Sequence, residues 1–213
     1  MTPDPGRGDA VEHSDGDDRK DQSDGAGPRA GSIPLGLRSR ARRLYRARRE
    51  RLLQIPVAEL KKRWGDSVDL DETHFTNARV ELADASIEVG FAGTYKMFGA
   101  LIDTQWVGST GDVGADRIEL SYRFDKNAFV TKRGTGDALA GRLSDATTRK
   151  LADRSQLKAM DVIDDGSSRT VTITPLPGTI TAMYFPPLPP YTVPMKPSEA
   201  ADQLDLLLHI LRI

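Results

Sequence analysis

No cysteine occurs among the 213 residues, which removes disulfides, thiolate nucleophiles, Cys-ligated zinc and iron–sulfur clusters together. Histidine is almost as scarce. His13, His74 and His209 form neither an HxH nor an HExxH pattern, so no local metal-ligand spacing exists. A P-loop GxxxxGK[ST], a Rossmann GxGxxG between strand and helix, and a GxSxG elbow are all missing. No metal and no cofactor is therefore expected. Long apolar runs are also lacking: nothing approaches the roughly 18–20 residues that cross a bilayer. The first 30 residues are acidic and Gly-rich, without the apolar stretch of a secretory signal. A cytoplasmic location is the default expectation that follows from these absences.

What the chain does have is charge sorted by position. The formal net charge is only −1, yet it conceals three unlike blocks. Residues 1–33 carry eight acidic and four basic side chains, with Val11 and Ile33 as the sizeable apolar residues. Such a segment buries too little to offset the entropy of ordering, and it reads as a disordered acidic tail. Residues 34–64 carry eleven basic side chains against Glu50 and Glu59. Residues 65–213 are acidic again, with 21 carboxylates and 15 cations. The acidic blocks are themselves candidate partners of the basic one.

From Leu37 to Gln54 no Gly or Pro interrupts the chain. At about 100° per residue, Leu37, Ala41, Leu44, Tyr45 and Leu52 share one side of a helix, with Arg48 intruding. Pro56 is expected to end this helix and to open a short second one through Glu59, Leu60 and Trp64, closed by Gly65. Beyond Gly65 the pattern alternates. Ile118, Leu120, Tyr122 and Phe124 fall on one side of a strand and Arg117, Glu119, Ser121 and Arg123 on the other. Val80 and Leu82, Ile87 to Phe91, 101–107, Val171 and Ile173, and 179–185 repeat the strand signature. Turns are expected at 108–114, 134–137 and 164–168. One helix should start at Ser144 as N-cap and run toward Leu157, and another should follow Pro197 with Leu204, Leu207, Leu208 and Leu211 on one face. The fold class is α+β, a predominantly antiparallel sheet with helices on one face, preceded by the tail and the basic helix. The expected division is 1–33, 34–64 and 65–213.

Four constellations bear on function. The first is the basic amphipathic helix. Arg38, Arg42, Arg43, Arg46 and Arg49, with Leu44 and Tyr45 beside them, fit an anionic surface: lipid headgroups or an acidic protein partner. Nucleic acid ranks below these, because phosphate-binding arms rarely need an apolar stripe. A peripheral position on the inner membrane face would follow. The second is Lys132, Arg133, Gly134 and Gly136, two cations beside glycines that can expose backbone N–H groups as an anion nest. The third is the acidic run Asp66, Asp69, Asp71 and Glu72 before His74, which lacks EF-hand spacing and reads as a solvated loop. The fourth is the proline run from Pro186 through Pro190 and Tyr191 to Pro197, either a polyproline II ligand or a rigid crossover. Ser155 and Lys158 match a bare SxxK, with none of the accompanying elements of the serine enzymes that use it. An enzyme with a sheet-lined pocket drawing on Asp103, Tyr122, Arg123 and Tyr184 is the alternative to a non-catalytic binding module.

Overall fold

A computed structural model describes residues 35–72, 76–97, 99–111, 117–183 and 190–213, with backbone only for 35–45. The acidic tail, His74 and Tyr184 lie outside the described residues. Helix α1 (Leu35–Trp64) and a 3-10 turn at Gly65–Ser67 lead into strands β1 (Val68–Leu70), β2 (Asn77–Glu81), β3 (Ala85–Lys96), β4 (Gly99–Gly111), β5 (Arg117–Arg123) and β6 (Ala128–Arg133). Helices α2 (Asp137–Leu143) and α3 (Ala146–Ser155) follow. Strands β7 (Leu157–Asp165), β8 (Ser168–Pro175), β9 (Ile180–Met183) and β10 (Tyr191–Thr192) then precede helix α4 (Pro197–Leu211).

The strands form one antiparallel sheet in the order β1-β2-β3-β4-β8-β7-β5-β6. Strand β4 serves two partners. Its second half, from Trp106 to Gly111, pairs with β8, and its first half, from Gly99 to Ile102, pairs with β9. Strict alternation along β4 sends Ala100, Ile102, Thr104 and Trp106 inward and leaves Leu101, Asp103, Gln105 and Val107 half-buried on the other face. That is the period-2 signature of a sheet covered on one side. Helix α4 closes on the inward face at Gly108, where an added Cβ would meet Leu211 at 2.6 Å and Leu207 at 3.0 Å. The indole N–H of Trp106 donates to Gln203 Oε1 at 2.9 Å, satisfying both buried groups.

The helix expected to stop at Pro56 runs straight through it to Trp64. An internal proline costs about 3 kcal/mol. Leu53 before it, Val57 and Leu60 after it, and Leu52 at the neighbouring cluster are all buried, and each contributes about 1.5–3 kcal/mol on burial. Packing therefore outweighs the broken hydrogen bond. Leu53, Val57 and Leu60 belong to the same core as Val80, Trp106, Leu204 and Leu207, so the core extends across residue 64 into α1.

Four local expectations need correcting. Phe124 is 47 % exposed while Leu120 is 1 % exposed, because β5 ends at Arg123 and Phe124 enters the turn to Asn127. Residues Gly108 to Gly111 continue β4, since the missing side chain at Gly108 makes room for α4. The N-cap of α3 is Asp145, whose carboxylate accepts from the Thr148 N–H at 2.6 Å. Ser144 instead accepts from the Phe129 N–H at 2.8 Å and donates to the Ala140 carbonyl. Finally, α3 stops at Ser155, where Gln156 turns left-handed (φ 49°) and leads into β7 at Leu157.

Candidate functional site

Helix spacing puts Arg46, Arg49, Leu53, Pro56 and Leu60 in line, at steps of three and four residues. Leu53, Pro56 and Leu60 are buried, Arg49 is half-buried and Arg46 is exposed. The row thus passes from core to cation toward the N-terminus. Arg38 and Arg42 precede it at the same spacing. The side chains of Arg38, Arg42, Arg43, Leu44 and Tyr45 lie outside what is described. The apolar stripe expected from Leu37 through Leu44 projects onto a second row, Arg48, Arg51 and Ile55, offset around the helix from the first, with Ile55 half-buried against the core. Of the expected stripe, Leu52 is buried against Ile102 and Ile180, and the buried face of α1 continues from it to Leu53, Val57 and Leu60.

This second row faces the end of the proline-rich segment. The Arg48 guanidinium donates to the Pro190 carbonyl and lies 3.5 Å from Thr192 Oγ1. Residues 190–195 are themselves held to the sheet. Tyr191 pairs with Thr181, Val193 exchanges backbone hydrogen bonds of 2.9 Å with Gly178 and Thr179, and Met195 is buried. Between the two walls runs an open groove of about 460 Å³, within the range of about 300–1,000 Å³ that suits small ligands. Helix α1 lines it with Arg48, Arg51, Leu52 and Ile55, the cations preceding Ile55 along the helix, and the segment after β9 lines it with Pro190, Tyr191, Thr192, Pro194 and Met195. Tyr191 is 68 % exposed on its rim. Two unusual sequence features, 142 residues apart, thus form one surface.

Comparison with known proteins finds no matching family model, no similar curated protein and no similar solved structure.

Electrostatically the groove differs from much of the domain surface. Arg63, Arg79, Arg117, Arg123, Lys132, Arg154 and Lys158 each sit within 3.3 Å of a carboxylate. No such pair involves Arg48, Arg49 or Arg51 among the described residues, and Arg49 Nε is buried without a hydrogen-bond acceptor. A buried, unanswered donor of this kind costs free energy until an acceptor reaches it.

The remaining candidates are dispersed. Lys132 pairs with Asp161 at 2.9 Å, and Arg133 and Arg117 both approach Glu119. Gly134 has φ +85°, and a Cβ there would meet the Arg117 carbonyl at 2.4 Å; one at Gly136 would meet Ile118 at 2.5 Å. Close packing over β5 accounts for both glycines. Asp103 accepts from Lys158 at 2.7 Å and from the Thr179 hydroxyl at 2.9 Å on the half-open face of the sheet. Tyr122 lies inside the core, bonded to Asn127, where burial and then Asp153 push its phenol pKa up. Arg123 pairs with Asp125 on the surface. Asp103, Tyr122 and Arg123 are thus committed to separate partners. Ser155 donates back to the Leu151 carbonyl, and Lys158 stands on β7 rather than a helical turn away. His209 lies 3.1 Å from Asp145. Burial opposes the Asp145 charge, but the Thr148 N–H and the His209 ring outweigh it and hold the carboxyl below its usual range. No group of acidic or histidine side chains suited to a metal ion occurs among the described residues.

Proposed function

We propose that the protein is a non-catalytic binding module that lays the basic part of α1 on an anionic membrane surface. The observation that carries this reading is that Arg49 Nε has no acceptor and Arg51 no carboxylate among the described residues, beside Arg48 on a helix whose second half is anchored in the core. Anchoring fixes the orientation of the cations, so little conformational entropy is lost when they meet lipid phosphates. Each basic residue close to an anionic leaflet contributes about 1 kcal/mol. The exposed Tyr191 and the apolar wall of the groove favour a membrane over nucleic acid, which offers no apolar interior. A peripheral position on the inner leaflet belongs to this proposal, and an acidic protein is the competing partner. No helix among the described residues is long and apolar enough to cross a membrane.

Co-sedimentation with vesicles tests it. Vesicles containing phosphatidylglycerol should pellet the protein and phosphatidylcholine vesicles should not, with binding weakening as salt screens charges beyond about 8 Å. Replacing Arg38, Arg42, Arg46 and Arg49 together by Ala should abolish it. Stronger binding to duplex DNA than to anionic vesicles, or binding to neither, would overturn the proposal.

A further inference from the structure

The groove has a polarity of its own. Arg48, Arg51, Leu52 and Ile55 follow one another at helical spacing, so its charged end and its apolar floor are set by one face of α1. Opposite them stand Pro194 and Met195, which add apolar surface and no charge. Arg48 uses one of its terminal nitrogens on Pro190 and Thr192, leaving other N–H groups of its five for an anion. Arg51 is exposed and has no carboxylate partner among the described residues. A free inorganic anion would satisfy the arginines and leave the floor wet; a neutral alkyl chain would do the reverse. Only a molecule charged at one end and aliphatic along its length matches both.

We propose that this groove takes one acyl chain of an anionic amphiphile, its phosphate or carboxylate held by Arg48 and Arg51 and its chain lying over Ile55 against Met195. The inference rests on the membrane reading for the source of the ligand, and it adds that a single lipid is gripped rather than a surface merely touched. Charge complementarity at one end and apolar burial along the rest are separate demands, and each is removable by its own variant.

The test uses the full chain and monomeric 1-palmitoyl lysophosphatidylglycerol below its micelle concentration, followed by titration calorimetry. Wild type should bind it at least tenfold more tightly than lysophosphatidylcholine and at least a hundredfold more tightly than glycerophosphoglycerol, which has the headgroup and no chain. Arg51→Ala should weaken binding about tenfold. Ile55→Trp, which fills the floor, and Tyr191→Glu, at a largely exposed position that leaves the fold intact, should each weaken it at least tenfold. Equal binding of glycerophosphoglycerol, equal binding of lysophosphatidylcholine, or wild-type affinity in both Ile55→Trp and Tyr191→Glu overturns the groove. Displacement of the bound lipid by poly-glutamate at equal charge overturns it in favour of an acidic protein. Vesicle binding without monomer binding overturns the groove alone, and monomer binding without vesicle binding keeps the groove and overturns the membrane reading.

Discussion

Arg169 and Asp164 face each other across the β7–β8 hairpin in direct register. Both nitrogens used are in range: Nε donates to Oδ1 at 2.8 Å and an Nη to Oδ2 at 3.1 Å. The side chains are 7 % and 6 % exposed, and along each strand they continue the inward rows of Val162 and Met160 and of Val171 and Ile173. Two charges removed from water this thoroughly owe their stability to each other. Arg169→Met should therefore cost about 3–5 kcal/mol, because Asp164 is left buried and unanswered, and Asp164→Leu should cost a similar amount. The double variant Asp164→Leu/Arg169→Met removes both desolvation penalties and should return to within about 1 kcal/mol of wild type. Urea unfolding followed by the fluorescence of the buried Trp106 reads all four proteins, and an unchanged denaturant slope confirms that the same transition is compared. A single variant costing under about 1 kcal/mol, or a double variant costing the sum of the two singles, would show that the pair is solvated and refute the reasoning.

Leu60→Ala should cost about 2–5 kcal/mol and Lys61→Ala under about 0.5 kcal/mol in the same assay, which checks that α1 is part of the core. Leu120→Ala should cost about 2–5 kcal/mol whereas Phe124→Ala, at a largely exposed position, should cost far less, reading out where β5 leaves the core. Gly136→Ala should destabilise by about 1–3 kcal/mol through overpacking against Ile118 and Leu120. Asp145→Ala should cost about 0.5–2 kcal/mol at neutral pH through the lost α3 cap. Because the folded carboxyl of Asp145 is depressed below its unfolded value near about 3.9, its contribution is complete above that value and is lost as pH falls through the folded one. The difference between wild type and Asp145→Ala in thermal unfolding should accordingly narrow below about pH 4.

Period-2 patterning made the antiparallel sheet legible at Ile87 to Phe91 and Ile118 to Tyr122, because one face of each strand is wet. It left β7 unread, since Lys158, Asp161, Asp164 and Asp165 interrupt the apolar pattern. Asp164 is buried there only because Arg169, five residues on, neutralises it. A pairing of that kind depends on tertiary register rather than local composition. Pro56 misled for a related reason: a local rule about hydrogen bonding was overruled by contacts with residues at the opposite end of the chain. Both halves of the groove drew notice as composition, the arginines and the prolines, but separately. The steps Arg48, Arg51, Leu52 and Ile55 fall at helical spacing in the sequence; which segment stands opposite them does not show there, because β10 is brought to α1 by its pairing with β9 and the Val193 bonds to Gly178 and Thr179.

Helix α1 is synthesised well before helix α4, which packs on it, and is therefore completed late in folding. Its core neighbours Leu204 and Leu207, and the Asp205 that pairs with Arg63 at 2.8 Å, leave the ribosome roughly 140 residues after it. Strand β4 likewise waits for β8, whose partner residues lie 57 to 67 positions further on. Contacts of such long sequence range slow folding, since loop closure is unfavourable before any packing rewards it. Throughout that interval the apolar side chains Leu53, Val57 and Leu60 travel on a nascent helix without their cover, flanked by arginines. The same cations that face the groove in the finished molecule then act on the growing chain as charged neighbours that oppose its association with other unfinished copies.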